Sequence, residues 1–306
     1  MAKARRCILL ILTCLSFVFI SFVDADQKKL KVHFVSVGYG DAIFIEFPDD
    51  TNMLIDAGDR DGAAQLIGYL KLLKVYKIDT VMITQPKKEH FEGLLSLVRK
   101  LRIERVLING DDNSDQGYDE LFKLFYKYQI PVRTIKRGSS LNVASKGIDF
   151  KILNPENLNA TPNGNSIVSW IRYNKVSIVL MADIERAQQQ ALLELYPEIN
   201  ETNVLQVPHH GSTMIDALYD LPDKTSYIMS TGKNEWGIPW EDDLKKFKGA
   251  VYRTDKMGTI LVETDGEKVS IIPRGLVVDK PPQKEKIKNK VPEKEMSAQP
   301  LNLKKE

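Results

Sequence analysis

The sequence predicts an α/β protein built from two sheets covered by helices, and three observations lead there. Short apolar runs of strand length recur along the chain between Leu30 and Ile272. Segments with apolar residues at helical spacing are interleaved with them from Ala63 onward. Polar and histidine-bearing stretches directly follow several of the runs, as expected where the strand ends of an α/β sheet deliver side chains to a ligand site.

Taken in order, the runs 30–37, 42–47 and 53–55 are broken by Gly38-Tyr39-Gly40-Asp41 and Pro48-Asp49-Asp50, so they read as a meander of strands joined by turns. Segment 63–73 then places Leu66, Ile67, Leu70 and Leu73 at helical spacing, and 80–84 is a short buried strand that enters a polar loop. Further helices are expected at 93–101, 120–128, 184–196 and 241–247. Strands are expected at 105–108, 132–135, 148–153, 167–172, 177–181, 204–207, 226–229, 251–253, 259–262 and 268–272. There is no internal repeat and no sign of a second globular domain.

With 306 residues, 43% hydrophobic and 27% charged, the chain has the composition of a folded protein, which excludes disorder as its main description. Its formal charge of +2 is unevenly spread. Lys3, Arg5 and Arg6 outweigh Asp24 at the N-terminus, eight lysines outweigh five acidic residues in 276–306, and the body 26–275 is left at −3. A mildly acidic body argues against tight non-specific nucleic-acid binding, which scales with clustered Lys and Arg.

The basic start, the apolar run 7–23 and Val23-Asp24-Ala25 read as a signal peptide, 1–25, cleaved after Ala25; an uncleaved membrane anchor is the alternative. The expected location is therefore secreted or otherwise extracytoplasmic. Cys7 and Cys14 both fall in this segment, so the mature chain has no thiol for a disulfide, a nucleophile or zinc. The expected folded domain is 26–275. The Lys/Pro-rich segment 276–306 has too little apolar surface to offset ordering and is expected to be a disordered tail, with contact to anionic surfaces as a minority role.

Four histidines, His33, His90, His209 and His210, limit any imidazole chemistry. His33 alternates within a strand and reads as structural. Glu89 and His90, Asp183, and the pair His209-His210 each follow a predicted strand, as does Asp56. Converging, they would make a mononuclear site of nitrogen and oxygen ligands. The plainer readings are a turn for Asp56 before Gly58 and an N-cap for Asp183, whereas paired imidazoles at a strand end contribute little to a core.

Six segments carry a resemblance: His33 to Ala42, Leu54-Ile55-Asp56-Ala57-Gly58, Asn163-Gly164-Asn165-Ser166, Ala182-Asp183-Ile184-Glu185, Val207 to Ser212, and Tyr252-Arg253-Thr254-Asp255. In this order they resemble the metallo-β-lactamase-fold domain of ComEC-type competence (DNA-uptake) proteins and their stand-alone secreted relatives. The resemblance implies a four-layer αββα sandwich, with a metal site at the sheet edges that hydrolyses through a metal-activated water. It also implies phosphodiesters or nucleic acid as a substrate class.

The departures bear on that activity. The family's loop Thr-His-x-His-x-Asp-His-x-x-Gly is here Thr84 to Gly93, with Gln85 and Lys87 in place of two histidines and Glu89 in place of Asp. Ile238 replaces a further imidazole. What remains for a metal is Glu89, His90, Asp183 and His209 or His210, with Asp56 behind them. The expectation is one zinc ion at most, or none, in a degenerate site that is non-catalytic or binding. The alternative is an atypical mononuclear hydrolase in which Asp183, His209 and His210 act. Lys87 is expected to supply the charge of the missing metal among Glu89, Asp183 and Asp56.

Overall fold

A computed structural model describes residues 28–139, 141, 145 and 147–275. The expected signal peptide 1–25 and the tail 276–306 lie outside the described residues.

Strands β1 (Leu30–Phe34), β2 (Ile43–Glu46) and β3 (Asn52–Ile55) form the expected antiparallel meander, with Val32 opposite Ile45 and Phe44 opposite Leu54. Helix α1 (Ala63–Leu72) then crosses over to β5 (Thr80–Ile83), parallel to β3, after the two-residue β4 (Lys77–Ile78). Helix α2 (Lys88–Leu97), β6 (Arg102–Ile103), β7 (Val106–Ile108), α3 (Tyr118–Lys127) and β8 (Val132–Thr134) continue the parallel winding. The second half begins with the antiparallel β9 (Ile148–Asn154), β10 (Val168–Tyr173) and β11 (Val176–Leu180). It then turns parallel through α4 (Arg186–Leu195), β12 (Val204–Gln206), α5 (Asp216–Tyr219), β13 (Ser226–Met229), α6 (Glu241–Leu244) and β14 (Val251–Arg253). After α7 (Thr254–Met257), β15 (Ile260–Thr264) returns to pair with β1, and β16 (Val269–Pro273) pairs with β15 at the sheet edge.

The result is an eight-stranded sheet, β16-β15-β1-β2-β3-β5-β7-β8, facing a six-stranded sheet, β14-β13-β12-β11-β10-β9, with β4 and β6 as a separate pair. Three apolar clusters match the four layers. Phe34, Ile43, Ile45, Ile55, Ile171, Ile178 and Ile228 fill the space between the sheets. Leu66, Leu70, Phe91, Leu94, Leu121 and Phe125 seat α1 to α3 on the first sheet. Val179, Leu192, Leu205, Leu218 and Tyr227 belong to the cluster that packs the helices on the second. Both inner and outer faces of these strands are buried, which is why they read as continuous apolar runs rather than strict alternations.

Most expected elements fall within two residues of their observed bounds. The clearest correction is α2, expected from 93 but starting at Lys88. Its first turn, Lys88-Glu89-His90, is polar on all sides, so apolar spacing could not reveal it. Glu89 there complements the helix dipole, and Gly93 allows the helix to lie against the Ala57 carbonyl, where any side chain would clash. Helix α6 is also shorter than the expected 241–247. Among the described residues, no helix is long and apolar enough to cross a membrane.

Candidate functional site

Four segments converge at one end of the two sheets: the β1–β2 loop, the β5–α2 turn with the first turn of α2, the turn after β11, and the turn after β12. They bring ligand atoms of Asp41, His90, Asp183 and His210 within 4.8 Å of one another, with all four residues buried. The backbone is forced to fit there. Asp56, Ala182, His209 and His210 all adopt positive φ, between 46° and 57°, a conformation that costs non-glycine residues of order 1 kcal/mol or more each.

His90 is the centre of the network. Its Nδ1 lies 2.8 Å from Asp56 Oδ2, and its Nε2 lies 2.9 Å from Asp183 Oδ2. Asp56 also accepts hydrogen bonds from the Thr84 amide and hydroxyl, at 2.7 and 2.6 Å. Gln85 Nε2 donates to Asp183 Oδ2 at 2.7 Å and lies 2.9 Å from His90 Nε2. Burial opposes a charged imidazole, but Asp183 and Asp56 outweigh it and hold the His90 pKa well above its ordinary value. Burial likewise would raise Asp183, yet the charges of His90 and then His210 hold it low, whereas Asp56 is raised because burial prevails over its contact with His90.

His210 Nδ1 faces the Ser230 carbonyl at 2.9 Å, and its Nε2 stands 3.6 Å from Asp183 Oδ1. Neither of these last two atoms has a hydrogen-bond partner, and neither has Gln85 Oε1. Asp41 is held by Gln206, whose Nε2 donates to Oδ1 at 2.8 Å. Tyr39 covers the cluster, its ring 4.5 Å from that of His210, and Trp236 lies on Tyr39 at 5.1 Å. Burial first, and then the charge of Asp183, push the Tyr39 hydroxyl well above its ordinary pKa, so it stays neutral.

Of the residues singled out from the sequence, His90, Asp183 and His210 meet in the cluster, with Asp56 behind His90. Glu89 and His209 lie outside that group of four. The Glu89 backbone carbonyl, not its carboxylate, is tied to the β1–β2 loop, where it accepts from the Asp41 amide at 3.3 Å. His209 turns away, with Nδ1 2.8 Å from the Thr213 hydroxyl and Nε2 3.4 Å from Asn163 Nδ2. Ile238 is buried in a tight loop closed by Asn234, which bonds both its amide and its carbonyl.

The role expected of Lys87 is overturned. Its ammonium lies 3.2 Å from Asp115 and is partly exposed, away from the three site carboxylates. The α2 N-terminus turns Lys87 outward and His90 inward, so the group that stands between Asp56 and Asp183 is the His90 ring.

Asp41 and Gln206 were not identified as site residues from the sequence. Asp41 had a visible signal, an acidic residue closing a glycine-rich turn between two strands. Gln206 had none, because a polar residue at the end of an apolar strand is also common in a structural role.

The donor set suits a metal. Two imidazoles and two carboxylates are borderline-hard ligands appropriate to zinc, and the unpartnered buried atoms Asp183 Oδ1 and His210 Nε2 both offer lone pairs. Such an ion would be held by His90, Asp183, His210 and Asp41.

The architecture is that of the metallo-β-lactamase fold. The chain superposes on the metallo-β-lactamase fold protein YhfI from Bacillus subtilis with a TM-score of 0.51 and 13% identity, covering 78% of this chain and 100% of that one. Tm1679, described as a metal-dependent hydrolase of the β-lactamase superfamily, aligns with a TM-score of 0.49 and 13% identity over 75% of this chain and 98% of that one. By sequence the chain is similar to ComE operon protein 3 of Bacillus subtilis (strain 168), at 25% identity over 272 residues. That alignment covers 81% of this chain and 35% of the relative, so the chain spans about a third of that protein's length. No family model matches the chain.

Proposed function

We propose that this chain is a non-hydrolytic, extracytoplasmic metallo-β-lactamase-fold protein whose site has been kept for binding or for structure. The observation that carries the reading is closure. Asp41, His90, Asp183 and His210 are at most 2% exposed, and Tyr39 and Trp236 lie over them. A scissile bond and an attacking water need a path to the reacting centre, and burial of these four side chains opposes one. The imidazole that Gln85 replaces would serve a first metal position, and Gln85 spends its amide instead on binding Asp183. The likeness to ComE operon protein 3 supports a role beside DNA uptake, with nucleic acid or another phosphodiester as the ligand class. The basic start and apolar run of the sequence support export.

One observation favours a second reading, an atypical mononuclear hydrolase. Asp183 Oδ1 and His210 Nε2 are left without partners, as ligands of a working ion would be. A bound divalent ion would supply Lewis acidity and an activated water. His90 would be held in place by Asp56, and Asp183 by Gln85.

A nuclease and phosphodiesterase screen on zinc-replete and manganese-replete protein separates the two. The proposal expects no turnover above a His90→Ala, Asp183→Ala double variant. Turnover that disappears in this variant would establish the hydrolase.

A further inference from the structure

We propose that this chain binds a single zinc-type divalent ion as a structural staple, with Asp41 as the fourth protein ligand beside His90, Asp183 and His210. The inference rests on the non-hydrolytic reading above and gives it a physical cause.

The argument begins with lone pairs. The Ser230 carbonyl can only accept, so the His210 Nδ1 that faces it at 2.9 Å carries a proton, which makes Nε2 the ring atom whose lone pair is free for a ligand. That lone pair faces Asp183 Oδ1, another acceptor, at 3.6 Å, and neither atom has a donor. Gln85 Oε1 is a third buried acceptor without a donor. Among the described residues, no lysine or arginine makes an ion pair with Asp41, Asp56 or Asp183. The basic groups paired with Asp56 and Asp183 are then the His90 and His210 rings, and the buried acceptors left without a donor are ones that a divalent ion, taking the place of a ring proton, would satisfy.

Outer contacts point the same way. Ligating side chains are usually oriented by hydrogen bonds from behind. Asp56 holds His90 Nδ1, the Ser230 carbonyl holds His210 Nδ1, and Gln206 holds Asp41 Oδ1. Asp41 therefore has the same kind of support as the residues that the sequence pattern singles out.

Ligand number then sets the role. Catalytic zinc keeps a position open for water, whereas structural zinc is closed by four protein ligands. With Asp41 included, four buried side chains can each offer a ligand atom, and Tyr39 packs on the His210 ring. Asp41 and His90 belong to the layers of the first sheet, and Asp183 and His210 follow strands of the second. One ion would therefore tie the two halves of the sandwich together.

The test uses the full chain purified without chelator. Elemental analysis should find about one zinc per chain. Stripping with dipicolinate should lower the melting temperature by several degrees, restored by one equivalent of zinc and not by magnesium, since a ligand bound only by the native state stabilises it. Cobalt substitution should give the intense visible absorption of a four-coordinate ion. Asp41→Asn and, independently, His210→Gln should each weaken zinc binding at least about ten-fold, while Glu89→Gln stays within about two-fold.

An unchanged melting temperature after stripping overturns the staple, as does wild-type zinc affinity in Asp41→Asn. The cobalt spectrum of the unmutated chain decides the ligand number even if a variant fails to fold, and a six-coordinate spectrum also overturns it. Phosphodiester turnover by the same zinc-loaded sample would instead defeat the non-hydrolytic reading. Loss of metal binding to Asp41→Asn without turnover supports both.

Discussion

Gln85 Nε2 donates to Asp183 Oδ2 at 2.7 Å, joining the turn after β5 in the first sheet to the turn after β11 in the second. The two residues are 98 positions apart, and both are buried. Gln85 thus ties the two sheets together at the site through its side-chain amide. It installs a donor against a carboxylate that would otherwise depend more heavily on His90.

Gln85→Ala should destabilise the protein by about 1–3 kcal/mol in urea denaturation, because it removes a hydrogen bond to a charged, buried acceptor and leaves a small void. Gln85→Glu should be worse, since it adds a carboxyl to a site already rich in them. If Gln85→Ala unfolds at the wild-type urea midpoint, the bridge contributes nothing.

Lys87→Met should change stability by less than about 1 kcal/mol. Its partner Asp115 is at 3.2 Å, both side chains are partly exposed, and solvent-screened pairs of this kind are weak. A loss of several kcal/mol would instead place the ammonium in a buried pair. Chemical denaturation of the single variant, beside Asp115→Asn, is enough to distinguish them.

These two residues also show how far the sequence could be read. The strands were legible because sheets buried on both faces leave runs of Val, Ile and Leu, and Asp183 and the histidine pair stood out as polar residues at the ends of such runs. The direction in which a side chain leaves a helix start was not legible. Lys87 and His90 differ by three positions, and only the true first residue of α2 decides which faces the carboxylates. Asp41 was missed for a related reason, since its nearness to His90 depends on how the β1–β2 loop folds against α2. The segment Asn163-Gly164-Asn165-Ser166 was legible as a motif but not in its role. Asn165 bonds Asp111 at 2.6 Å and Ile167 bonds the Thr84 carbonyl, tying the second sheet to the first.

Away from the site, Tyr69, His33 and Glu46 form a chain of hydrogen bonds. Glu46 accepts from His33 Nε2 at 3.0 Å, which leaves His33 Nδ1 to accept from the Tyr69 hydroxyl at 2.8 Å. Burial pushes the Tyr69 hydroxyl up to about 12, so it remains a donor throughout the neutral range. The His33 hydrogen bond is the main cause of a lowered Glu46 pKa, with burial opposing it. A carboxylate lowered in the folded state stabilises the fold above its unfolded pKa, and that contribution disappears as pH falls through the folded value. Stability should therefore decline on acidification below Glu46's ordinary range. Glu46→Gln should flatten this part of the curve, which denaturation between pH 3 and 7 will reveal. An identical acid limb in the variant would assign the decline to other groups.

Deleting residues from Asp279 onward should leave the melting temperature within about a degree of the full chain, because the Lys, Pro and Glu composition offers little surface to pack. A domain of this size loses roughly 2–4 °C for each kcal/mol removed, so a drop of several degrees in calorimetry would show that the tail stabilises the body.

Gly40 gives the sharpest test of how the fold delivers Asp41. Its φ is 137°, where side chains are rarely tolerated, and a methyl group on it would overlap the Glu89 backbone carbonyl, the same oxygen that accepts the Asp41 amide at 3.3 Å. The obstacle is backbone at the start of α2, which cannot rotate aside as a long side chain could. Gly40→Ala should therefore destabilise the protein by roughly 2–4 kcal/mol, from strain and overpacking together. It should also push the β1–β2 loop off α2 and carry Asp41 away from His90. Gly38→Ala is the matched control, because Gly38 also has positive φ, 91°, but a side chain there would meet no atom within 4 Å. The control should show the backbone strain without the clash, at about 1 kcal/mol. Equal losses in the two variants, measured by urea denaturation, would mean that contact between Gly40 and the Glu89 carbonyl does not position the loop.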